Sequence, residues 1–314
     1  MIDAIAVTDP ADPRILQFRG VRDADLRGRD GLFCVESPRV LRRFLYALAA
    51  RTRGHAHAPS VGLHAVLATR EVLTELDPLL EGVLLSQPSP VAVFTGSESL
   101  MTQLAGYRMH KGALALGTRP ESPGMASLLR AIGEEDDLIM PLGVVHTDNI
   151  GAVFRNAGSL GACGVLLAGG SSDPLHRKSI RISSGRVFSV PWGESESWVA
   201  DLRALREEHG FALIAAEDAP ESIPLDRLHE CTALASHARC AIVLGAEGAG
   251  LSREARAMCD AVCAIPMRAP GGLVESGDPE PQCGRRVSPP LAWNSARPLA
   301  CPLLAGLTLP LPSG

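Results

Sequence analysis

The feature that most constrains the fold is an alternation of apolar, strand-like runs with amphipathic helical patterns in the second half of the chain. Helical patterns at 149–160, 197–209 and 252–258 lie between most of these runs. Strands buried on both faces read as nearly continuous apolar runs, and helices between them are the usual connections of a parallel sheet. The sequence therefore predicts an α/β fold whose parallel sheet is covered on both faces. The strand-like runs lie near 138–145, 164–168, 187–190, 211–216, 240–245 and 262–266.

The first helical pattern carries polar residues where an α/β sheet collects ligands. Asn149 precedes the pattern and is a competent helix N-cap. Because ligands bind beyond the carboxyl ends of parallel strands, Asn149 and Gly151 are candidate ligand contacts. Arg155 lies among small and apolar residues, so we expect it either to pair with an acid or to face a cleft. The apolar residues at helical spacing are Ile150, Val153, Phe154, Ala157 and Leu160.

A glycine-rich turn follows the strand-like run at 240–245. The segment G-A-E-G-A-G at 245–250 leads into a helix that Ser252 is expected to cap. Glycines allow backbone N–H groups to approach a ligand closely. The order G-x-x-G-x-G differs from the dinucleotide fingerprint G-x-G-x-x-G, so on its own the turn identifies no particular nucleotide.

Residues 1–118 mix short strands and helices and predict a separate, smaller α+β domain. Strand-like runs occupy 31–36, 61–68, 91–95 and 109–116, and the pair Ser37-Pro38 is a helix start signal. Prolines and glycines at 117–124 resist both helix and strand. We predict a linker at 119–134 and an α/β domain at 135–276.

Charge and cysteine usage narrow the class of protein. The net charge is -5, so any binding of nucleic acid must use a local basic patch, for which 14–29 and 176–181 are the candidates. The 8 cysteines include no C-x-x-C pair and several lie in apolar runs, which favours buried reduced thiols over zinc ligands or disulfides. The 9 histidines form no H-E-x-x-H arrangement, and we predict no metal site.

Hydropathy and the first residues indicate where the protein works. The apolar residues, 46% of the chain, form no run of about 18 or more, so we predict no membrane span. Residues 1–5 lack the basic-then-apolar layout of a signal peptide. We therefore expect a soluble, cytoplasmic protein.

Three motifs, in this order and spacing, resemble the SpoU (TrmH-like) family of RNA ribose 2′-O-methyltransferases. They are N-x-G-x-x-x-R-x-A-x-x-x-G from Asn149, L-G-x-E-G-x-G-L-S from Leu244, and I-P-M from Ile265. The R-x-S-x-G segment at 181–185 also resembles a family motif, and 33–37 and 110–115 resemble the family's small substrate-binding domain. The resemblance covers most of residues 30–275.

The resemblance implies a trefoil-knotted, SPOUT-type methyltransferase domain at 135–276, preceded by an α+β domain at 1–118 that binds the RNA substrate. It also implies S-adenosylmethionine as the cofactor, tRNA or rRNA as the substrate, and a homodimer. Such knots are exceptions to the rule that protein chains are un-knotted. By the same resemblance, Arg155, Asn149 and Glu247 line the catalytic pocket. The residues expected to contact the cofactor are Gly245, Gly248, Ile265 and Met267.

The reaction explains why an arginine would stand in such a site. A methyl group passes from a sulfonium to a ribose 2′-oxygen, which is a poor nucleophile until its proton leaves, so charge must be stabilised there. Family accounts often make the arginine a base, but a reference pKa of about 12.5–13.8 makes a neutral Arg155 costly at pH 7. We therefore expect a cationic Arg155 to orient the 2′-oxygen and the neighbouring phosphate, while phosphate or water assists proton loss.

The sequence departs from the family pattern after Ser276. Family members continue with a Ser-Leu-Asn segment and a last helix that completes the knot, whereas G-D-P-E-P at 277–281 supplies neither the Leu nor the Asn. Reading the possible codons of 278–284 one base later permits Thr-Leu-Asn-Pro-Ser-Ala-Ala, which favours the hypothesis of a frameshifted carboxyl terminus. Ten of the 24 prolines follow residue 265, and we predict a disordered tail at 277–314. We expect weak cofactor binding and weak methyl transfer.

Two other functions stay open at this stage. A catalytically silent, RNA-binding homodimer would keep the amino-terminal domain without a complete cofactor site. A nicotinamide-dependent oxidoreductase would explain the α/β alternation and the glycines at 245–250. It leaves the context of Arg155 unexplained, and the glycines lack the acidic residue about twenty positions later that such enzymes use.

Overall fold

The computed structural model describes residues 2–19, 31–52, 61–107, 112–161, 164–234 and 237–265. Within these ranges the strands form two sheets, one of five strands and one of seven. The strands are β1 (Ile5–Ala6), β2 (Leu32–Glu36), β3 (Gly62–Ala68), β4 (Ala92–Thr95), β5 (Ala113–Thr118), β6 (Leu138–Pro141), β7 (Gly164–Leu167), β8 (Trp192–Glu194), β9 (Phe211–Ala216), β10 (Ile223–Pro224), β11 (Arg239–Leu244) and β12 (Ala261–Ala264). The helices are α1 (Pro38–Thr52), α2 (Arg70–Ser86), α3 (Glu98–Ala105), α4 (Met125–Ala131), α5 (Thr147–Leu160), α6 (Arg177–Ile182), α7 (Trp198–Glu207) and α8 (Arg253–Ala257).

The first sheet has the order β1-β4-β3-β5-β2 and is mixed. Strands β1, β4 and β3 run parallel, and β5 is antiparallel to both β3 and β2. Helix α1 begins at Pro38, directly after Ser37, as the sequence predicts. Helices α2 and α3 were not located from the sequence; their N-caps are Thr69 and Ser97.

The second sheet has the order β10-β12-β9-β11-β6-β7-β8, and every neighbouring pair is parallel. This confirms the predicted parallel α/β sheet. From β6 the chain adds β7 and β8 on one side, then crosses to β9, β11 and β12 on the other. The carboxyl ends of β6, β9, β11 and β12 therefore meet at one edge, beside the point where the direction of winding changes.

Two local predictions in this half are wrong. The apolar run at 187–190 is not a strand: Arg186–Phe188 form a 3-10 helix, and the strand is β8. Val187 and Phe188 are apolar because they are buried between elements, and a short apolar run does not distinguish a strand from other buried segments. Asn149 is not the N-cap of α5, because the helix begins at Thr147 after His146.

The predicted linker at 119–134 contains helix α4. Just before that helix, Gly124 bridges to Glu194 in the second sheet. Arg119, the first residue of the segment, forms an ion pair of 2.8 Å with Asp173. The segment is therefore ordered against the α/β half. The domain boundaries themselves stay a prediction.

The two sheets share one hydrophobic cluster. Phe33 of β2 and Phe44 of α1 meet Phe188, whose ring lies 5.6 Å and 4.7 Å from theirs between centroids. All three rings are buried. Beside them Arg177 of α6 forms an ion pair of 2.7 Å with Glu36 of β2. The junction thus combines an apolar centre with charged contacts at its rim.

The described part of the chain shows no helix that is long and apolar enough to cross a membrane. In the same residues, no group of three or more His, Cys, Asp or Glu side chains is placed to hold a metal ion. Of the five cysteines within the described ranges, Cys34, Cys240 and Cys263 are buried, as predicted, whereas Cys231 and Cys259 are only partly buried. Several predictions lie outside the described residues. They concern Met267, positions 110 and 111 of the 110–115 motif, the tail at 277–314 and the segment expected to complete the knot.

Candidate active site

A cleft of about 310 Å³ opens at the carboxyl ends of the parallel strands. Its walls are residues 216–218 after β9, 244–247 after β11 and 263–265 at β12. Helix α5 and the turn before it add Val144, Asn149 and Val153. The lining is mostly apolar with a few converging polar groups, which is typical of a small-molecule site.

Glu247 is the polar centre of the cleft. Its Oε1 accepts hydrogen bonds from Asn149 Nδ2 at 2.7 Å and from the His146 N–H at 3.2 Å, and its Oε2 accepts from the Val145 N–H at 3.2 Å. Burial acts to raise the pKa of Glu247, but these bonds and one from its own backbone N–H outweigh it and lower the pKa. Glu247 is therefore a carboxylate at neutral pH and an acceptor, not a proton donor.

Asn149 is held in the first turn of α5 by this carboxylate. Since Nδ2 donates to Glu247, the amide oxygen is left as the side-chain group available to a ligand. Val153, one turn further along, lines the same cleft. The structure thus brings together two of the three predicted catalytic residues, although Asn149 does so from inside the helix and not as its cap.

The glycine-rich turn is shaped by contacts of its own backbone. A Cβ at Gly245 would lie 2.5 Å from the backbone nitrogen of Leu251, so only glycine fits there. Gly250 has a φ of 62°, and a Cβ on it would lie 2.7 Å from the carboxyl carbon of Glu217. Gly248 has a φ of 82° and is exposed, and it does not line the cleft. Of the predicted cofactor contacts in this turn, Gly245 alone lies in the wall.

Glu217 and Asp218 line the cleft and were not predicted from the sequence. Glu217 Oε2 accepts a hydrogen bond of 3.0 Å from the Leu251 N–H, so it ties the end of β9 to the glycine-rich turn. The signal was present: two acids directly follow the apolar run at 211–216, where the carboxyl end of a buried parallel strand is expected.

Ile265 lines the cleft, as predicted, and is the last described residue of the chain. Its neighbour in the motif, Met267, lies outside the described residues. The contact of Ile265 with the cleft comes from its position directly after β12, beside β9 in the sheet.

Arg155 is not in the cleft. It lies on α5 but points to another side of the helix from Asn149 and Val153, and it is exposed to solvent. Gly151 and Gly158, one turn before and one turn after it, pack against Ile182 and Arg186. Among the described residues Arg155 has no ion-pair partner and does not line this cleft, so its pairing with an acid and its place at a cleft both stay predictions.

The fold and cleft define a class: a parallel α/β protein with a small-molecule site at the carboxyl edge of its sheet, walled by a glycine turn and a helix amino terminus. Comparison with known families gives the particular one. Residues 138–271 match the model of the SpoU rRNA Methylase family. The matched stretch contains the whole cleft and ends before residue 277.

Relatives and solved structures agree with that match. An uncharacterised tRNA/rRNA methyltransferase of Mycobacterium tuberculosis is 30% identical over 270 residues, covering 85% of each chain. The 23S rRNA (guanosine-2′-O-)-methyltransferase RlmB of Escherichia coli is 26% identical over 221 residues, covering 66% of this chain and 87% of RlmB. An AdoMet-bound rRNA methyltransferase structure from Sinorhizobium meliloti superposes with a TM-score of 0.65 at 18% identity, covering 87% of this chain and 92% of that one, and so shares the fold. The chain belongs to the SpoU methylase family.

Proposed function

We propose that the protein methylates the 2′-oxygen of a ribose in tRNA or rRNA and uses S-adenosylmethionine as the methyl donor. The observation that carries this proposal is the cleft in which Asn149, Gly245, Glu247 and Ile265 converge at the carboxyl edge of the sheet. Family membership supports RNA methylation, and the likeness to RlmB, a guanosine-2′-O-methyltransferase, supports the ribose as the target.

The residues of the cleft suit the proposed cofactor. The predominantly apolar wall matches an adenine ring and the methylene groups beside the sulfonium, and the volume of about 310 Å³ is at the small end of ligand sites. Gly245 lets the backbone at 250–251 pack against this wall of the cleft, where a Cβ would clash with it. Glu217, Asp218 and Glu247 place negative charge beside a ligand whose sulfonium is positive. When bound, the cofactor supplies a methyl group that is activated for displacement.

The protein's own groups would prepare the ribose. Glu247 fixes Asn149 through the 2.7 Å hydrogen bond, and the free amide oxygen of Asn149 is then available to accept a hydrogen bond from a hydroxyl. Arg155, as a cation, would orient the 2′-oxygen and the adjoining phosphate. The proton leaves to phosphate or water, because neither a carboxylate that accepts four hydrogen bonds nor an arginine is a good base at neutral pH.

The placement of Arg155 supports the proposed homodimer. In the described part of one chain, Asn149 lines the cleft and Arg155 does not. If Arg155 acts on the ribose, it serves the cleft of a second copy. In a two-fold dimer the Arg155 of that copy serves the first cleft in the same way. Each active site would then contain Asn149 and Glu247 from one protomer and Arg155 from its partner.

We further propose that methyl transfer by this chain is weak. The segment G-D-P-E-P at 277–281 lacks the Leu and Asn with which the family closes the cofactor pocket. The family match ends at residue 271, before this segment. Resequencing the codons of 276–286 tests the frameshift hypothesis: an alternative frame that encodes no Leu-Asn pair and no helix rules it out.

The experiment that tests the function uses S-adenosylmethionine labelled in its methyl group. The full chain is incubated with tRNA and rRNA, the RNA is digested to nucleosides, and label is located by chromatography. We expect low but measurable label in 2′-O-methylated nucleosides, abolished by Asn149→Ala. Label in base-methylated nucleosides would refute the ribose as the target.

The missing Leu-Asn segment also favours a second candidate function, an RNA-binding homodimer without methyl transfer. The same assay separates the two. Retention of RNA on a gel without any transfer of label, at cofactor concentrations up to millimolar, would select the silent RNA-binding protein.

A further inference from the structure

Four arginines from three distant parts of the chain meet at the junction of the two sheets. Arg39 and Arg43 lie on α1, Arg155 on α5, and Arg186 at the start of the 3-10 helix Arg186–Phe188. The elements pack tightly here: a Cβ on Gly185 would lie 3.4 Å from Arg43 Cβ, and one on Gly158 would lie 2.8 Å from Arg186 Cδ. We call these four residues the arginine cluster.

The charge of the arginine cluster is not neutralised by the described part of the protein. None of the four arginines forms an ion pair with an acid among the described residues. Arg43 Nη1 donates to the backbone oxygen of Ser184 at 2.7 Å, which holds the guanidinium in place without cancelling its charge. Burial, and next to it the positive charges of Arg186, Arg39 and Arg155, lower the pKa of Arg43. A protein with a net charge of -5 thus keeps a concentrated positive site.

An exposed aromatic ring extends the same face of α1. Arg39, Arg43 and Tyr46 are spaced i, i+4 and i+7, so their side chains lie on one side of the helix. Tyr46 is 59% exposed, and it is the one aromatic residue among the large hydrophobic residues exposed in the described part of the chain. Arg42 lies on the adjacent side of α1, and its charge is paired with Glu75 of α2.

We propose that the arginine cluster and Tyr46 form a binding track for an RNA strand, in which the arginines contact successive phosphates and Tyr46 stacks on an unpaired base. This deepens the proposed function, on which it rests for the choice of RNA as ligand. Proteins that bind single-stranded nucleic acid combine cations, which contact the phosphates, with aromatic side chains, on which the bases stack. The track leads along α1 to Arg155, the residue expected to orient the reacting ribose.

The track differs from the basic segments visible in the sequence. In the candidate at 14–29, Arg14 is paired with Asp12 at 2.6 Å. In the candidate at 176–181, Arg177 is paired with Glu36 and Lys178 with Asp148, both at 2.7 Å. Arg14, Arg177 and Lys178 are therefore engaged in ion pairs within the protein. In the part of the chain that the structure describes, the arginine cluster differs from them because its members form no ion pair with an acid.

The test measures RNA affinity against salt concentration in the absence of cofactor. A labelled RNA with single-stranded loops is titrated with the full chain, and the slope of log K against log salt counts the phosphates contacted. We expect Arg39→Ala and Arg186→Ala each to reduce the slope by about 0.7–1. Arg42→Ala removes the same charge from the same helix but should leave the slope unchanged.

Tyr46 is tested by a matched pair of variants. Tyr46→Ala should weaken binding by about 5- to 150-fold, the range found when a base loses an aromatic partner. Tyr46→Phe keeps the ring and should bind as the wild type does. Because Arg39 and Tyr46 are exposed, these variants are expected to fold, and circular dichroism checks this.

The outcomes are separable from those of the methylation assay. RNA binding with the expected slopes but no methyl transfer would uphold the track and reject the enzyme. Equal slope changes in Arg39→Ala and Arg42→Ala, or none in either, would overturn the track even if the wild type methylates RNA. Binding of polyglutamate that RNA does not displace would also overturn it, in favour of an acidic protein partner.

Discussion

At the scale of single residues, the candidate site depends on one carboxylate more than on any other side chain. Glu247 follows β11, yet it organises the turn before α5 by accepting the N–H groups of Val145 and His146 and the amide of Asn149. Glu247 therefore both orients a catalytic candidate and joins the two segments that wall the cleft. The family motif predicts the residue, but only the structure gives it this supporting role.

The lowered pKa of Glu247 predicts a change in acid stability. Its folded pKa lies below the ordinary 4.5, so its contribution to the free energy of unfolding is complete above that value and is lost as the pH falls toward the folded pKa. Glu247→Gln lacks this dependence. We expect the melting temperature of wild type to fall more than that of Glu247→Gln between about pH 5 and pH 3. Parallel curves for the two proteins would contradict the assigned pKa.

The glycine-rich turn offers a second test at this scale. Gly245→Ala places a Cβ against backbone atoms of 250–251, which cannot give way as a side chain would. Gly248→Ala meets no atom within 4 Å and carries only the strain of a positive φ, about 1–2 kcal/mol. We therefore expect Gly245→Ala to lower both the melting temperature and the affinity for S-adenosylmethionine more than Gly248→Ala, measured by calorimetry. The reverse order would show that the turn rearranges.

At the scale of elements, α5 carries glycines for packing as well as for the motif. A Cβ on Gly151 would lie 2.7 Å from Ile182 Cβ and 3.0 Å from the Ser179 backbone oxygen of α6. On Gly158 it would lie 2.8 Å from the Cδ of Arg186, part of a flexible side chain, and 3.2 Å from the Cγ2 of the buried Val190. Gly151 therefore allows α5 and α6 to pack closely, whereas Gly158 makes room for neighbouring side chains.

These neighbours predict that the two glycines differ in how much stability an alanine costs. Either substitution by alanine raises helix propensity by about 1 kcal/mol. Gly151→Ala should nevertheless destabilise the protein, since α5 and α6 must separate. Gly158→Ala should destabilise the protein less, because Arg186 can move aside and Val190 has to shift by only a few tenths of an ångström. Urea unfolding of both variants measures the difference, and a stabilised Gly151→Ala would mean that α6 is not held where the structure places it.

The sequence predicts the elements whose signal is local and misses those whose role depends on distant contacts. Continuous apolar runs gave the strands β6, β7, β9, β11 and β12, and the start of α1 followed from Ser37-Pro38. The apolar run at 187–190 was wrongly predicted as a strand, because Phe188 is apolar where it packs against Phe44 in the other half of the molecule. No reading of one segment could assemble the arginine cluster, since its members come from positions 39 to 186.

The candidate site was predicted through resemblance more than through pattern. The motifs single out Asn149, Gly245, Glu247 and Ile265, and the structure places all four along one cleft. From the sequence pattern alone, Asn149 was expected to cap the helix, which is wrong. The same pattern left two environments open for Arg155, because which face of a helix meets solvent depends on the elements that pack against its other faces. Roles in catalysis and cofactor binding stay predictions.

At the scale of the whole molecule, the shared aromatic core predicts that the two sheets unfold together. Phe188 belongs to the α/β half but packs on Phe33 and Phe44 of the amino-terminal half. Phe188→Ala should cost about 3–5 kcal/mol and should speed hydrogen exchange in β2 as well as in β6. Two separate calorimetric transitions in the wild type, or unchanged exchange in β2, would contradict a common core.

The proposed dimer predicts that two defective chains repair one another. Asn149→Ala and Arg155→Ala should each lose methyl transfer when pure. After joint refolding, half of the dimers are mixed and each mixed dimer has one intact site, so about a quarter of wild-type activity should return. Sedimentation measures the assembly state of each sample. No recovery from a dimeric mixture would place both residues at the same chain's site.

The junction around Phe188 has a consequence for the choice of target. Because buried aromatic rings join the two sheets, this interface fixes Tyr46 and Arg39 on α1 relative to Arg155 on α5. If RNA binds the proposed track, it is then presented to the cleft that Arg155 serves at a set number of nucleotides. The molecule would select its nucleotide as a ruler does, by distance from a structural landmark in the RNA and not by reading the base.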